Sequence, residues 1–315
     1  MGDPSPSQRR LSRSLHESLI PLVVVAAAFG VGFPAAASSL RSWVPVMLAG
    51  QVAGVALTIS ATELAPVVRR AQPLVIALGA QWVVMPAVGY ALFRLAGENL
   101  AGQGALITAI SPAEITSALV AVIAGADAAT AAALMTASVA LGCVLTPLWL
   151  TVTWPRTTGF DLTSLVFELV LSVAVPLLVG VTLRSRVALV AAHPRRCLDL
   201  AGLSLILVVF VGAGQARPLL LSGQIGEAAG LAAALVAAGA ILAAVVAVAS
   251  KRPKPAALAI AFPLGMREFG IATAVALAVA PRAAGFGGLY GVLLMLASTT
   301  AAASLRPRSN KNRSL

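Results

Sequence analysis

The chain alternates long apolar stretches with short polar, basic or Pro- and Gly-bearing interruptions. Ten stretches, at 18–36, 43–62, 72–95, 102–124, 128–154, 163–183, 199–216, 228–250, 255–281 and 284–304, approach the ~20 residues that a helix needs to cross a bilayer. The short segments of alternating polarity that make a membrane β-barrel are not seen. The pattern predicts an all-α polytopic protein of about ten transmembrane helices, with the lipid bilayer as its solvent. In lipid every backbone N–H and C=O must find a partner inside the protein, and a helix supplies one.

Two stretches are interrupted at their middles. The fourth reads LITAISPAEITSALVAVIAG, with a break expected around Ser111-Pro112. The ninth reads ALAIAFPLGMREFGIATAVALAVA, with a break expected around Pro263 to Gly265. A proline inside a helix removes a hydrogen bond and clashes with the preceding turn. Taken as two sets of five, the stretches predict two inverted five-helix repeats, 17–157 and 158–304, between cytoplasmic tails 1–16 and 305–315, with broken fourth and ninth helices. Matching breaks in two inverted halves mark the binding site of a secondary transporter, where freed carbonyls and half-helix N-termini meet ions and anionic groups.

Composition agrees with a lipid-facing surface. Apolar residues are 59% of 315, charged residues 10%, and the mean hydropathy is +0.95, against about 25% charged residues in soluble domains. The net charge of +11 is explained by its distribution. Of 22 Lys and Arg, 16 fall on one side of the ten-span arrangement and 5 on the other, with Arg267 inside a span. The positive-inside rule then puts both termini in the cytoplasm, and the plasma membrane is the expected location. Nucleic acid is not an expected partner.

Ionisable residues at bilayer depth are rare and usually functional. Here they are Glu114, Arg267 and Glu268; Glu168 lies nearer the start of its span, and Glu63 and Asp127 read as solvated caps. Glu114 is either a structural partner of the broken helix or a contact for substrate or a coupling proton. Arg267 is either a fixed internal cation or a bidentate contact to a substrate carboxylate. A continuous second half-helix would put Ser117 on one face with Glu114. Thr116 and Gln81 are candidate polar lining, although a hydroxyl bonding its own backbone is the commoner arrangement. A pair between Arg267 and Glu114 is expected across the two broken helices. Glu268 is second choice, because on a regular helix it would point about 100° away from Arg267. Cys143 and Cys197 read as small apolar filler, and His16 and His193 sit near segment ends among basic residues. No metal site and no cofactor is expected.

At these residues the sequence resembles the bile acid:sodium symporter family. The similarity is carried by IPLVVVAAAFGVGFP in the first span, LGAQWVVMP at 78–86, LTP at 145–147 and GMREFGIA at 265–272. The resemblance implies a panel domain and a core domain, with the broken spans crossing in the core beside a cavity. It implies secondary transport of an organic anion, usually driven by sodium. The family's Ser-Asn after the first break falls on Ser117 and Ala118, and its hydroxyl ligands in the next span fall on Ala131 and Met135. Its Glu before the GMQ element falls on Pro263 and its Gln on Arg267. Gln81 and Ser117 persist, but Ala, Met and Pro offer no side-chain oxygen and an Arg repels a cation. Sodium coupling of the family's usual kind is therefore not expected.

The expected function is secondary transport of a small or amphipathic organic anion by alternating access, with Gln81, Glu114, Thr116, Ser117, Arg267 and Glu268 as the substrate- or ion-binding set and a proton as a possible coupling ion. One alternative is a receptor that keeps the fold without flux. Another is an exporter related to arsenite carriers, which would rely on a thiolate where this chain has Ser111-Pro112. An intramembrane enzyme is disfavoured by the lack of paired Asp residues, a buried His or a metal-ligand cluster.

Overall fold

The computed structural model describes residues 21–68, 72–154 and 161–306. Several of the basic residues in the charge count (Arg9, Arg10, Arg13, Arg69, Arg70, Arg156, Arg308, Lys311 and Arg313), together with His16, lie outside the described residues, as does the side chain of Glu63.

The labelled helices are α1 (Pro21–Gly32), α2 (Val44–Ala56), α3 (Gln72–Leu95), α4 (Leu100–Ala109), α5 (Ser117–Ile123) and α6 (Ala128–Thr153). They continue as α7 (Leu162–Arg186), α8 (Pro194–Gly214), α9 (Ile225–Ala249), α10 (Lys254–Gly265), α11 (Phe269–Val279) and α12 (Gly285–Leu305). Among the described residues, six helical stretches are long and apolar enough to span a membrane: Gln72–Leu95, Ala128–Thr153, Leu162–Arg186, Pro194–Leu221, Ile225–Ala249 and Pro281–Leu305. The protein is a polytopic all-α membrane protein.

Local chemistry explains several ends. Asn99 caps α4 by accepting the Gly102 N–H at 2.9 Å, and Asp161 caps α7 through the Thr163 N–H at 2.9 Å, each satisfying a donor with no intrahelical partner. The Ser164 hydroxyl, with the Ser164 and Thr163 N–H groups, holds the exposed Asp161 carboxyl below the usual carboxylate range. Midway through α7 the helix loosens into a π-turn at Val170–Ala174, just ahead of Pro176, which has no N–H to give.

The helices pack in two groups. The first holds α2, α7 and α8, with α2 lying along α8 and α7, and α1 comes close to α8 where Gly30 meets Phe210 and Gly214. The second holds α3 to α6 and α9 to α12, in which α10 packs on α9, α5 and α6, and α12 on α9, α11 and α4. The groups meet where α8 touches α12 and α11, where α6 lies against α7, and where α2 touches α11. Large side chains such as Val75, Ile76, Leu178, Ile241 and Val248 point outward, an apolar exterior that water would penalise and hydrocarbon does not.

Candidate site at the helix crossing

The two interruptions meet. Between α4 and α5 the chain runs extended through Pro112, Ala113 and Glu114; between α10 and α11 it does so through Met266, Arg267 and Glu268. These segments lie antiparallel with Ala113 opposite Arg267. The Glu114 N–H donates to the Met266 carbonyl at 3.0 Å and the Glu268 N–H to the Pro112 carbonyl at 2.9 Å. Each break thus satisfies backbone groups that the other exposes, at a depth where water cannot. Gly142 of α6 lets the Pro112 ring sit against its helix; a Cβ there would lie 2.8 Å from the proline Cβ.

The second break falls later than the proline implies. Pro263 is inside α10, which continues to Gly265. The carbonyls left over at its end find side chains instead: Gln81 donates to the Pro263 carbonyl at 3.1 Å, and the Arg267 guanidinium to the Leu264 carbonyl at 3.1 Å. Gln81 also accepts from the Ser138 hydroxyl at 2.8 Å, and Ser138 accepts the Ala113 N–H at 2.9 Å. One relay of side chains thereby ties both breaks to α3 and α6.

Arg267 does not pair with Glu114, nor with Glu268; among the described residues the one ion pair is Arg94 with Glu98. The reason is the extended backbone. Successive side chains of a strand point to opposite faces, and residues directly opposed in an antiparallel pair share a face. Arg267 therefore leaves on the face of Ala113, whereas Glu114 and Glu268 leave together on the other. The guanidinium is fully buried and donates to the Ser111 carbonyl at 3.2 Å and the Leu264 carbonyl at 3.1 Å. Its Nε has no partner. The Arg267 N–H donates to the Tyr290 hydroxyl of α12 at 3.2 Å.

Glu114 and Glu268 share the face of the crossing opposite Ala113 and Arg267. Glu268 caps α11, accepting the Gly270 N–H at 2.9 Å, and reaches across to accept the Ile115 N–H of the other break at 2.8 Å. Glu114 accepts only from Thr116, through its N–H at 3.2 Å and its hydroxyl at 3.0 Å; its second oxygen is buried and unpartnered. Glu114 precedes α5, which begins at Ser117, so the two do not share a helical face. The Ser117 hydroxyl is buried without a partner.

All six candidate residues thus lie at or beside the crossing. Sequence reasoning missed Ser138, Tyr290 and Gln51 of α2. Both polar atoms of the Gln51 amide are buried without partners, and its oxygen lies 3.3 Å from where a Cβ on Gly270 would stand, with a Glu268 oxygen 2.8 Å from the same point. A lone Gln in the middle of an apolar run was the available signal. Among the described residues no group of His, Cys, Asp and Glu could hold a metal ion.

The sequence model of the Sodium Bile acid symporter family matches residues 45–223, more than half of the chain. This protein belongs to that family. The matched part of this symporter-family member contains the first break, Gln81 and Ser138, while Arg267, Glu268 and Tyr290 lie beyond it. A relative in Bacillus subtilis (strain 168), named as an uncharacterized sodium-dependent transporter, YocS, is 26% identical over 282 residues, which cover 86% of this chain and 84% of the relative. As a member of this family the protein is a membrane transporter.

Proposed function

We propose that the protein is a secondary transporter of a small or amphipathic organic anion, working by alternating access and without sodium as its coupling ion. The observation that carries this reading is Arg267. A buried guanidinium occupies carbonyls of both breaks, Ser111 and Leu264, the hard oxygens a metal cation would otherwise seek. A fixed positive charge there disfavours a second, mobile one by Coulomb repulsion in a low dielectric. Ala118, Ala131, Met135 and Pro263 add no side-chain oxygen. The coupling ion left for this site is a proton, with Glu114 and Glu268 as the groups to receive it. The sodium dependence in the name of the Bacillus relative is the competing expectation.

The test is uptake of a panel of organic anions by proteoliposomes, with sodium and proton gradients imposed separately. Uptake that ignores the replacement of sodium by potassium and responds to a proton gradient is expected. A saturable sodium requirement that potassium does not meet would overturn the reading, and saturable binding without flux would make the protein a receptor.

A further inference from the structure

Between α7 and α8 the chain makes a short helix, Ala188–Ala192, none of whose residues is buried. Leu189 is 71% exposed and Val187 36%. The helix is nonetheless closed, with the His193 Nδ1 2.9 Å from the Leu189 carbonyl. A segment reading VALVAA that lies uncovered would be penalised by water. The spans it joins are also apolar outward at this end, where Leu183 of α7 and Leu200 and Leu203 of α8 are exposed.

Arginines stand on both sides of this helix. Arg184 and Arg186 close the last turn of α7, and Arg195 and Arg196 fall in the first turn of α8. No Asp or Glu occurs between Glu168 and Asp199, and among the described residues none of the four arginines is ion-paired. Arg195 and Arg196 also oppose the dipole of α8, whose N-terminus disfavours cations. Two basic residues that the charge count puts on the same side of the membrane serve the protein itself. Lys254 donates to the Leu305 carbonyl at 3.0 Å and Arg306 to the Ile123 carbonyl at 3.4 Å. By contrast Arg186, Arg195 and Arg196 are exposed.

We propose that the connection between α7 and α8 is a docking surface for anionic phospholipid. The short helix lies in the headgroup layer with Leu189 at the acyl boundary, the position of an interfacial helix with an apolar side and a basic one. Arg186, Arg195 and Arg196 meet the lipid phosphates, which guanidinium groups bind through paired N–H donors. Exposed apolar surface and unpaired positive charge are each unfavourable in water, and one partner, a negatively charged lipid surface, removes both costs. The proposal is independent of what the protein carries.

Two measurements on the full chain test it. In neutral detergent, phosphatidylglycerol should raise the melting temperature more than an equal amount of phosphatidylcholine, and the difference should shrink as salt is raised. Arg195→Gln combined with Arg196→Gln should increase the phosphatidylglycerol concentration for half the effect roughly 30-fold. Lys251→Gln combined with Arg252→Gln removes the same charge from the same side and should leave that concentration unchanged. Equal shifts from the two lipids, or equal losses in the two double variants, overturn the site. In a Cys143→Ala, Cys197→Ala background, a fluorophore on Leu189→Cys in phosphatidylglycerol vesicles should be quenched by a lipid bearing a nitroxide near its headgroup and protected from aqueous iodide. Iodide quenching as strong as that of the free dye overturns the interfacial placement.

Discussion

The first break occupies 110–116 and the second only 266–268, and the two are held differently. The longer one is secured by side chains reaching in from elsewhere: the Thr146 hydroxyl on the Ile110 carbonyl at 2.9 Å, Ser138 on the Ala113 N–H, and Glu268 on the Ile115 N–H. The shorter one is also met from outside, by Gln81 on the Pro263 carbonyl and Tyr290 on the Arg267 N–H, but its own charged side chains reach furthest: Arg267 returns to the Leu264 carbonyl and donates to Ser111 of the first break, and Glu268 caps the helix that follows. The second break is thus the one that organises the crossing, and the first is fitted to it. The two glutamates repeat the asymmetry. Glu268 serves both breaks, whereas Glu114 serves its own turn and keeps one oxygen without a partner.

The largest effect should come from Glu268→Leu. It leaves the Ile115 and Gly270 N–H groups without acceptors in a buried site, and two such losses amount to about 3 kcal/mol or more. Thermal unfolding in detergent measures this; a stability equal to wild type would mean that the second break does not hold the first. An intermediate effect is expected from Arg267→Gln and Glu114→Gln, each roughly 1–3 kcal/mol. Their double-mutant cycle should show a coupling below about 0.5 kcal/mol, because the side chains leave on opposite faces and share no partner. A larger coupling, with the double variant recovering stability, would restore the ion pair that the extended crossing rules out. The smallest effect belongs to Thr116→Val, which removes one hydroxyl donor from Glu114 and keeps the N–H, for about 0.5–1.5 kcal/mol. If Thr116→Val were as damaging as Glu268→Leu, the contrast between the two glutamates would fail.

The fold was legible because bilayer thickness imposes a length on each apolar run, and lengths survive poor knowledge of exact ends. The first break was legible for a similar reason: Pro112 stands where the chain leaves the helix. Pro263 misled, since a proline disturbs the turn before it and lets the helix run on to Gly265. The expected Arg267–Glu114 pair failed because helical angles were applied to a segment that is extended, where the side-chain period is two. A strand of three residues leaves no periodicity to read. Gln51, Ser138 and Tyr290 acquire their meaning from other helices, and no local pattern announces such partners. Gln81 was legible through its family motif, although its bonds to Ser138 and Pro263 were not.

The exchange of backbone hydrogen bonds at the crossing also has a consequence for biosynthesis. The Pro112 carbonyl and the Glu114 N–H enter the membrane long before Met266 and Glu268 exist, and Ile115 waits for a carboxylate 153 residues further along the chain. Until then the first broken span carries exposed peptide groups that hydrocarbon cannot accept. The nascent protein must therefore shelter that span at the insertion machinery, or leave it short of full depth, until the second broken span arrives to close it.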